Sequence, residues 1–393
     1  MDVYEILKGL AIPRLMGSEG EAKTIKYITE YLKNVGTEPK LEGFTYSPKM
    51  PSYLTKFINI FFIVIIVYFV LIISLNPLIS IISLVALVSV LPILIILLMR
   101  WITKNGVPQL GIRRLGNNIM GEIKPKNETK GEILLSCHYD SKSNSFSRKF
   151  FRILNAIKGK GFALFILLVL ISSIGELVGI PIAFVHWFDL LTLILSVPII
   201  VCAFISLFNK MDNQSPGAID NGTGCAILLK LAEDFGHDHP SNMRLVFLFA
   251  GAEEFGIYGS SEYCNTHLDE LEAIKDRFYQ INVDMVGSEI QYLEKQGLLK
   301  KRPMNKVLND LIVESAEEKN IAIRPFRKGV GLNSDHALFF LRGFKTCTFT
   351  SEADKRYIHT EQDTMDKVDP EKLSDAVELI KSMIQKLDFK FMS

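Results

Sequence analysis

The chain has 393 residues, room for one large domain or two smaller ones. Its formal net charge of +1 offers no basic surplus for nucleic acid and no attraction toward a uniformly acidic partner. Hydrophobic residues make up 48%, high for a soluble protein, and the excess is concentrated in two blocks.

The first stretch, "MDVYEILKGLAIPRLMG", lacks a basic run followed by an apolar core, so no secretory signal is expected there. "SEGEAKTIKYITEYLKNVG" reads as a helix. Ser18 and Glu21 form a capping box, Gly36 ends it, and Ile25, Ile28, Leu32 and Val35 recur at helical spacing. Phe57 to Met99 holds no charged residue and breaks at Asn76-Pro77 into halves of about 19 and 22 residues, each long enough for a bilayer core of ~30 Å. "GEILLSCHYD" (131–140) is a short apolar run ending in polar residues, as buried parallel strands do. Gly161 to Phe208 is a second apolar block, read as two more membrane helices joined by a short turn at "VHWFD", with Trp187 near the interface and His186 in the turn. Glu176 lies about one turn from the expected end of its helix, where a carboxylate either reaches the interface or serves a function.

Two hairpins return the chain to the side it left. Segments 1–56, 100–160 and 209–393 therefore share one face of the membrane and together make one domain, apart from transmembrane hairpins 57–99 and 161–208. Lys56, Arg100, Lys104, Arg148, Lys149, Arg152, Lys158, Lys160 and Lys210 flank the blocks on that side, and the hairpin turns hold none. Lys and Arg accumulate in cytoplasmic flanks, so a multi-pass chain in the cell membrane with its polar domain toward the cytoplasm is expected. The five cysteines show no paired spacing, which fits a reducing compartment.

Beyond the second block, "GCAILLKLAEDFG" reads as a helix and "MRLVFLFAGAEE" (243–254) as another buried strand. "DPEKLSDAVELIKSMIQKL" opens with Asp369 as cap and Pro370 in the first turn, and carries the stripe Leu373, Ala376, Val377, Ile380, Ile384 and Leu387. Strands alternating with helices imply an α/β fold: a mostly parallel central sheet with flanking helices, plus four transmembrane α-helices. Its ligand crevice belongs beyond the carboxyl ends of the strands.

Metal-binding side chains collect at those ends. "CHYDS" supplies His138 and Asp140, "GAIDNGTG" supplies Asp220, "FLFAGAEEFG" supplies Glu253 and Glu254, "INVDMVG" supplies Asp284, and "YIHTEQDT" supplies His359. Two imidazoles and five carboxylates cannot all stay ionised together at neutral pH without compensation. Divalent cations resolve the repulsion. Imidazole with carboxylate suits Zn²⁺, and five or six ligands suit two ions bridged by one carboxylate at ~3.5–4 Å. By contrast, His237 and His239 in "GHDHP" read as an exposed loop and His267 as surface.

In that order the motifs resemble those of the dinuclear zinc aminopeptidases of peptidase family M28. "PRLMGSEGEAKTIKYITEYLKNVG" is similar to that family's first helix and "LNSDHALFFLRGF" to its late Ser-Asp-His segment. The likeness covers most of the polar residues and none of the apolar blocks. It implies that His138 and Asp284 bind one Zn²⁺, that Glu254 and His359 bind a second, and that Asp220 bridges both. It further implies that Asp140 orients the His138 ring, and that Glu253 is the general base of a peptide-bond hydrolase.

In soluble relatives the stretch between His-x-Asp and Asp-Asn is a short loop, whereas here it holds the second apolar block. The expected partners are the lipid bilayer and peptide substrates, including peptides derived from the membrane. Two other readings compete. "CHYDSK" also resembles glutaminyl cyclases, single-zinc acyltransferases on the same fold, and a non-catalytic membrane receptor on this fold is the third.

Overall fold

The computed structural model describes residues 1–73, 76–297, 301–329 and 334–391. Ser74 and Leu75 of the first apolar block, and Leu332 and Asn333 at the head of "LNSDHALFFLRGF", lie outside them. The chain divides into two compact units, one of Met1–Pro48, Asn105–Ser143 and Asp212–Ser393, the other of Lys49–Lys104 and Asn144–Met211.

The first unit is built on a nine-stranded sheet. Its strands are β1 (Lys40–Tyr46), β2 (Arg114–Ile123), β3 (Gly131–His138), β4 (Met243–Ala250), β5 (Phe278–Val283), β6 (Gln291–Gln296), β7 (Arg302–Pro303), β8 (Arg324–Lys328) and β9 (Lys345–Thr350). They lie in the order β1-β2-β4-β3-β5-β9-β6-β8, with β7 beside β6. The four central strands β4, β3, β5 and β9 are parallel, while β1, β2 and the β9–β6 step are antiparallel.

Every residue of β3 and β5 is buried, because helices cover both faces of the centre. Leu134, Val246, Leu248 and Phe278 pack with Tyr263, Phe339 and Phe344 on one side. Glu132 is buried in β3 and meets the Arg244 guanidinium, whose Nε donates at 2.8 Å. Helix Glu19–Asn34 starts at Ser18, whose side chain accepts from Glu21 N at 3.2 Å, and stops before Gly36 at φ +80°. The helix Pro370–Phe389 buries the whole stripe from Leu373 to Leu387, beside helices Val3–Lys8, Thr223–His237 and Lys306–Glu318.

Among the described residues the second unit contains four helices long and apolar enough to cross a membrane: Met50–Ile73, Pro77–Asn105, Arg148–Leu177 and Ile182–Ser206. Three of them run past the blocks 57–99 and 161–208, so 50–56, 100–105 and 148–160 are helical extensions carrying most of the basic flanks, whereas Ile182–Ser206 stops short of Phe208. The second hairpin also turns earlier than "VHWFD". Gly179 takes φ +76° and Pro181 caps the next helix, so the break falls at 178–181, while His186 and Trp187 are already helical and Glu176 sits in the last turn before it. Positive φ costs glycine little, and proline cannot continue the preceding helix. Ile66, Phe69, Ile73, Leu84, Phe165, Val169 and Ile199 form the interior of this unit. Polar links also join its helices: Lys158 Nζ donates to Asn59 Oδ1 at 2.9 Å and Ser206 Oγ at 3.0 Å, and Ser172 Oγ donates to Asp189 Oδ1.

Candidate metal centre

Parallel strands in register bring their carboxyl ends to one level, with His138 of β3 opposite Ala250 of β4. The residues that follow the strands therefore converge. Tyr139 and Asp140 leave β3, Glu253 and Glu254 leave β4, and Asp284 leaves β5. Asp220 arrives from the turn before helix Thr223–His237, and His359 from the segment after β9.

All seven residues singled out in the sequence meet there. His138 Nε2 lies 3.2 Å from Asp220 Oδ1, 3.8 Å from Asp284 Oδ1 and 4.0 Å from Glu253 Oε2. His359 Nε2 lies 3.1 Å from Asp220 Oδ2 and 3.2 Å from Glu254 Oε1. Among the described residues two groups could each hold an ion, His138–Asp220–Asp284 and Asp220–Glu254–His359. Asp220 belongs to both, and its two oxygens face different imidazoles. Glu254 Oε1 is buried, and among the described residues its partner is the His359 imidazole at 3.2 Å. Oxygen and imidazole donors in this number suit Zn²⁺.

Backbone contacts hold these side chains. His138 Nδ1 stands 3.0 Å from the Asp140 carbonyl oxygen, which fixes the proton on Nδ1 and turns Nε2 toward the carboxylates. The Asp140 carboxylate is farther from that nitrogen, at 3.5 Å, and instead accepts the Glu253 and Glu254 N–H groups, each at 3.2 Å. Asp140 thus orients the histidine through its backbone and the two glutamates through its side chain. The Asp220 turn is pinned from behind by Asp363, which accepts from Ile219 N at 2.7 Å and Asp220 N at 3.2 Å. Arg14, fully buried, donates to Tyr139 O at 2.6 Å, Pro216 O at 2.6 Å and Gly217 O at 2.8 Å, tying the Asp220 segment to the end of β3. Asn221 bonds Val283 O at 2.8 Å and accepts from Met285 N at 3.1 Å, joining the same turn to Asp284. Gly224 permits the approach, since a Cβ there would stand 2.7 Å from Val283 O. Among the described residues five non-glycines take positive φ, and three of them are Ala252 beside Glu253, Met285 beside Asp284, and His359 itself. Such conformations persist where surrounding structure over-determines them, and they gather at functional sites.

Charge follows burial. Burial opposes charge on His138, yet Glu253, Asp140, Asp220 and Asp284 hold its pKa well above the usual value. His359 is raised in the same way against burial, chiefly by Glu254. Asp220 falls well below the carboxylate range because the two histidines outweigh its burial. Burial pushes Glu253 well above that range, with Glu254, Asp284 and Asp335 adding to it against His138. Glu254, despite burial, is held at about 2 by His359 and Lys142. Protons on the imidazoles thus stand in for divalent cations. Solvent reaches the cluster at His359 and Asp284, whose side chains keep 24% and 14% of their surface.

Three neighbours escaped the sequence reading. Lys142 follows Asp140 by two residues and pairs with Glu254 Oε2 at 2.8 Å. Asp363 sits in the same run as His359, and burial raises its carboxyl to about 7. Asp335 of the Ser-Asp-His segment is buried near Asp284 and His138 and is likewise raised to about 7, mainly by burial. The tripeptide "SDH" was the available signal for it. His336 points elsewhere, with Nε2 3.2 Å from Gln296 Oε1, and burial lowers it to about 4. His267 pairs with Glu42 at 3.1 Å and His239 faces Lys124 O at 2.8 Å.

Comparison with known proteins agrees with this geometry. The sequence profile of Peptidase family M28 matches residues 199–384, which include Asp220, Glu253, Glu254, Asp284 and His359. Aminopeptidase YwaD of Bacillus subtilis is 33% identical over 178 residues, 43% of this chain and 37% of its own length, so the match spans little more than a third of that relative. In fold the chain is similar to the aminopeptidase from Aneurinibacillus sp. strain AM-1, with a TM-score of 0.56 and 15% identity, covering 98% of this chain and 93% of that one. It is also similar to an Acidobacteriales bacterium glutaminyl cyclase, with a TM-score of 0.54 and 15% identity over 99% and 94% of the two chains.

Proposed function

The chain belongs to peptidase family M28, and from that premise we propose that it is a membrane-bound, zinc-dependent aminopeptidase that removes N-terminal residues from peptides. The observation that carries the two-ion form of this reading is Asp220, whose Oδ1 and Oδ2 stand 3.2 Å and 3.1 Å from two separate imidazoles. In this proposal His138 and Asp284 hold one Zn²⁺, Glu254 and His359 hold the other, and Asp220 is shared. Bound there, the ions acidify a water and polarise the scissile carbonyl.

The remaining work falls to the chain's own groups. Glu253 projects into the cluster with Oε2 4.0 Å from His138 Nε2, beside the metal-binding groups where a general base is needed. It takes the proton of the attacking water and passes it to the departing amine. Asp140 keeps both glutamates in place through their backbone N–H groups. In this reading the four apolar helices are membrane spans and the catalytic unit faces the cytoplasm, which the basic flanks support. Peptides released from membrane proteins are then natural substrates.

The fold is shared with glutaminyl cyclases, so acyl transfer is the second reading. One experiment separates them. Detergent-purified protein is assayed for bound zinc and for products from aminoacyl reporters and from peptides with N-terminal glutamine. Two zinc ions per chain and free amino acid, both lost to a chelator and restored by zinc, are expected. One ion with a pyroglutamyl product would favour the cyclase, and no turnover with either substrate would favour a receptor.

A further inference from the structure

Lys142 lies in the loop after β3, at the end of "HYDSK", and its ammonium touches one residue twice. Nζ is 2.8 Å from Glu254 Oε2 and 3.2 Å from the Glu254 backbone oxygen. These contacts fix the rotation of the Glu254 side chain against its own backbone. Oε2 is engaged. Oε1 is buried and faces His359 Nε2 at 3.2 Å. The other group lacks this feature: among the described residues no Lys or Arg pairs with Asp220 or Asp284.

We propose that Lys142 is a positioning residue that confines Glu254 to a single metal-binding oxygen. The inference rests on the two-ion reading above. A carboxylate can engage a cation through one oxygen or both. A charge-assisted bond to Oε2 opposes the second mode. Swinging Oε2 away would strand a largely buried ammonium without its partner, a costly state. Glu254, Asp220 and His359 then contribute three donor atoms, and the ion they hold keeps room for a substrate oxygen. Without Lys142, Glu254 closes onto the ion with both oxygens and competes with substrate.

The test uses full-length wild type, Lys142→Met and Lys142→Arg, each freed of metal and loaded with Co²⁺, whose visible absorption weakens as donors are added. Lys142→Met is expected to bind as many ions as wild type, to lose visible absorption, and to show a raised KM on an aminoacyl reporter. Lys142→Arg, which keeps the cation, is expected to restore the wild-type spectrum. Should Lys142→Met not be recovered folded, Lys142→Gln, neutral and shorter, decides in its place. An unchanged spectrum in the neutral variant overturns the proposal while leaving the two-ion reading standing. Wild-type protein that binds no Co²⁺ overturns both.

Discussion

The cluster at the strand ends and the unit of four apolar helices bury opposite things. The first gathers five carboxylates and two imidazoles, with carboxylate oxygens 3.1 Å to 4.0 Å from the ring nitrogens, and backbone contacts hold His138, Asp220 and the two glutamates. The second turns large apolar side chains outward: Val88, Leu94 and Trp187 keep more than half their surface, and only 6% of the most apolar window of Pro77–Asn105 is buried. In water such a surface would aggregate, and in hydrocarbon it is the stable arrangement. The lesson is that burial has meaning only against a stated solvent. In the proposed reading single residues of the cluster carry function, whereas apolar composition carries the role of the helices.

The sharpest test of that contrast is Glu253→Gln. It is expected to cost 10²–10⁴-fold in kcat, roughly the worth of a general base, with bound zinc unchanged. Retained turnover would remove Glu253 from the chemistry. Paired leucines give the next effect. Leu248→Ala, in the sheet core, should destabilise the protein by about 2–5 kcal/mol through the cavity it leaves. Leu94→Ala, outward-facing in an apolar helix, should cost less than about 1 kcal/mol. Thermal unfolding in one detergent compares them, and equal losses would break the distinction.

Val88→Arg comes third. Position 88 is 64% exposed, so in a water-soluble protein the change would be nearly neutral. In a membrane span it should cost about 2.5–3.5 kcal/mol of insertion and reduce the fraction resistant to alkaline extraction. The smallest expected effect concerns pH. His138 and His359 have pKa values raised above 6.5, and zinc must displace those protons. Affinity is therefore full above the raised values and declines as pH falls through them, starting above 6.5, by about tenfold per unit for each histidine. Chelator-buffered zinc titration at several pH values reads this slope. A flat profile would mean the imidazoles carry no protons in the empty cluster.

Much of this was legible beforehand because local physics leaves local marks. His138, Asp140, Glu253, Glu254 and Asp284 each follow an apolar run, and such runs end at the same edge of a parallel sheet. Ser18 and Asp369 announced their helices as caps. The antiparallel strands β1 and β2 were not anticipated, since their alternation of partly exposed residues is weak. The turn at 178–181 was misplaced because a membrane helix tolerates His186 and Trp187 near its start, while Gly179 and Pro181 stop it.

What the order of residues settles unaided is inventory: which donors exist, which segment brings each, and which helices are long and apolar enough to cross a membrane. Partnership is settled by folding. Lys142 chooses Glu254 over the adjacent Glu253, Asp140 bonds two N–H groups more than a hundred positions away, and Arg14 finds the carbonyls of Pro216 and Gly217. Those choices depend on angstrom-scale distances that close only when strands lie in register, and no spacing along the chain encodes them.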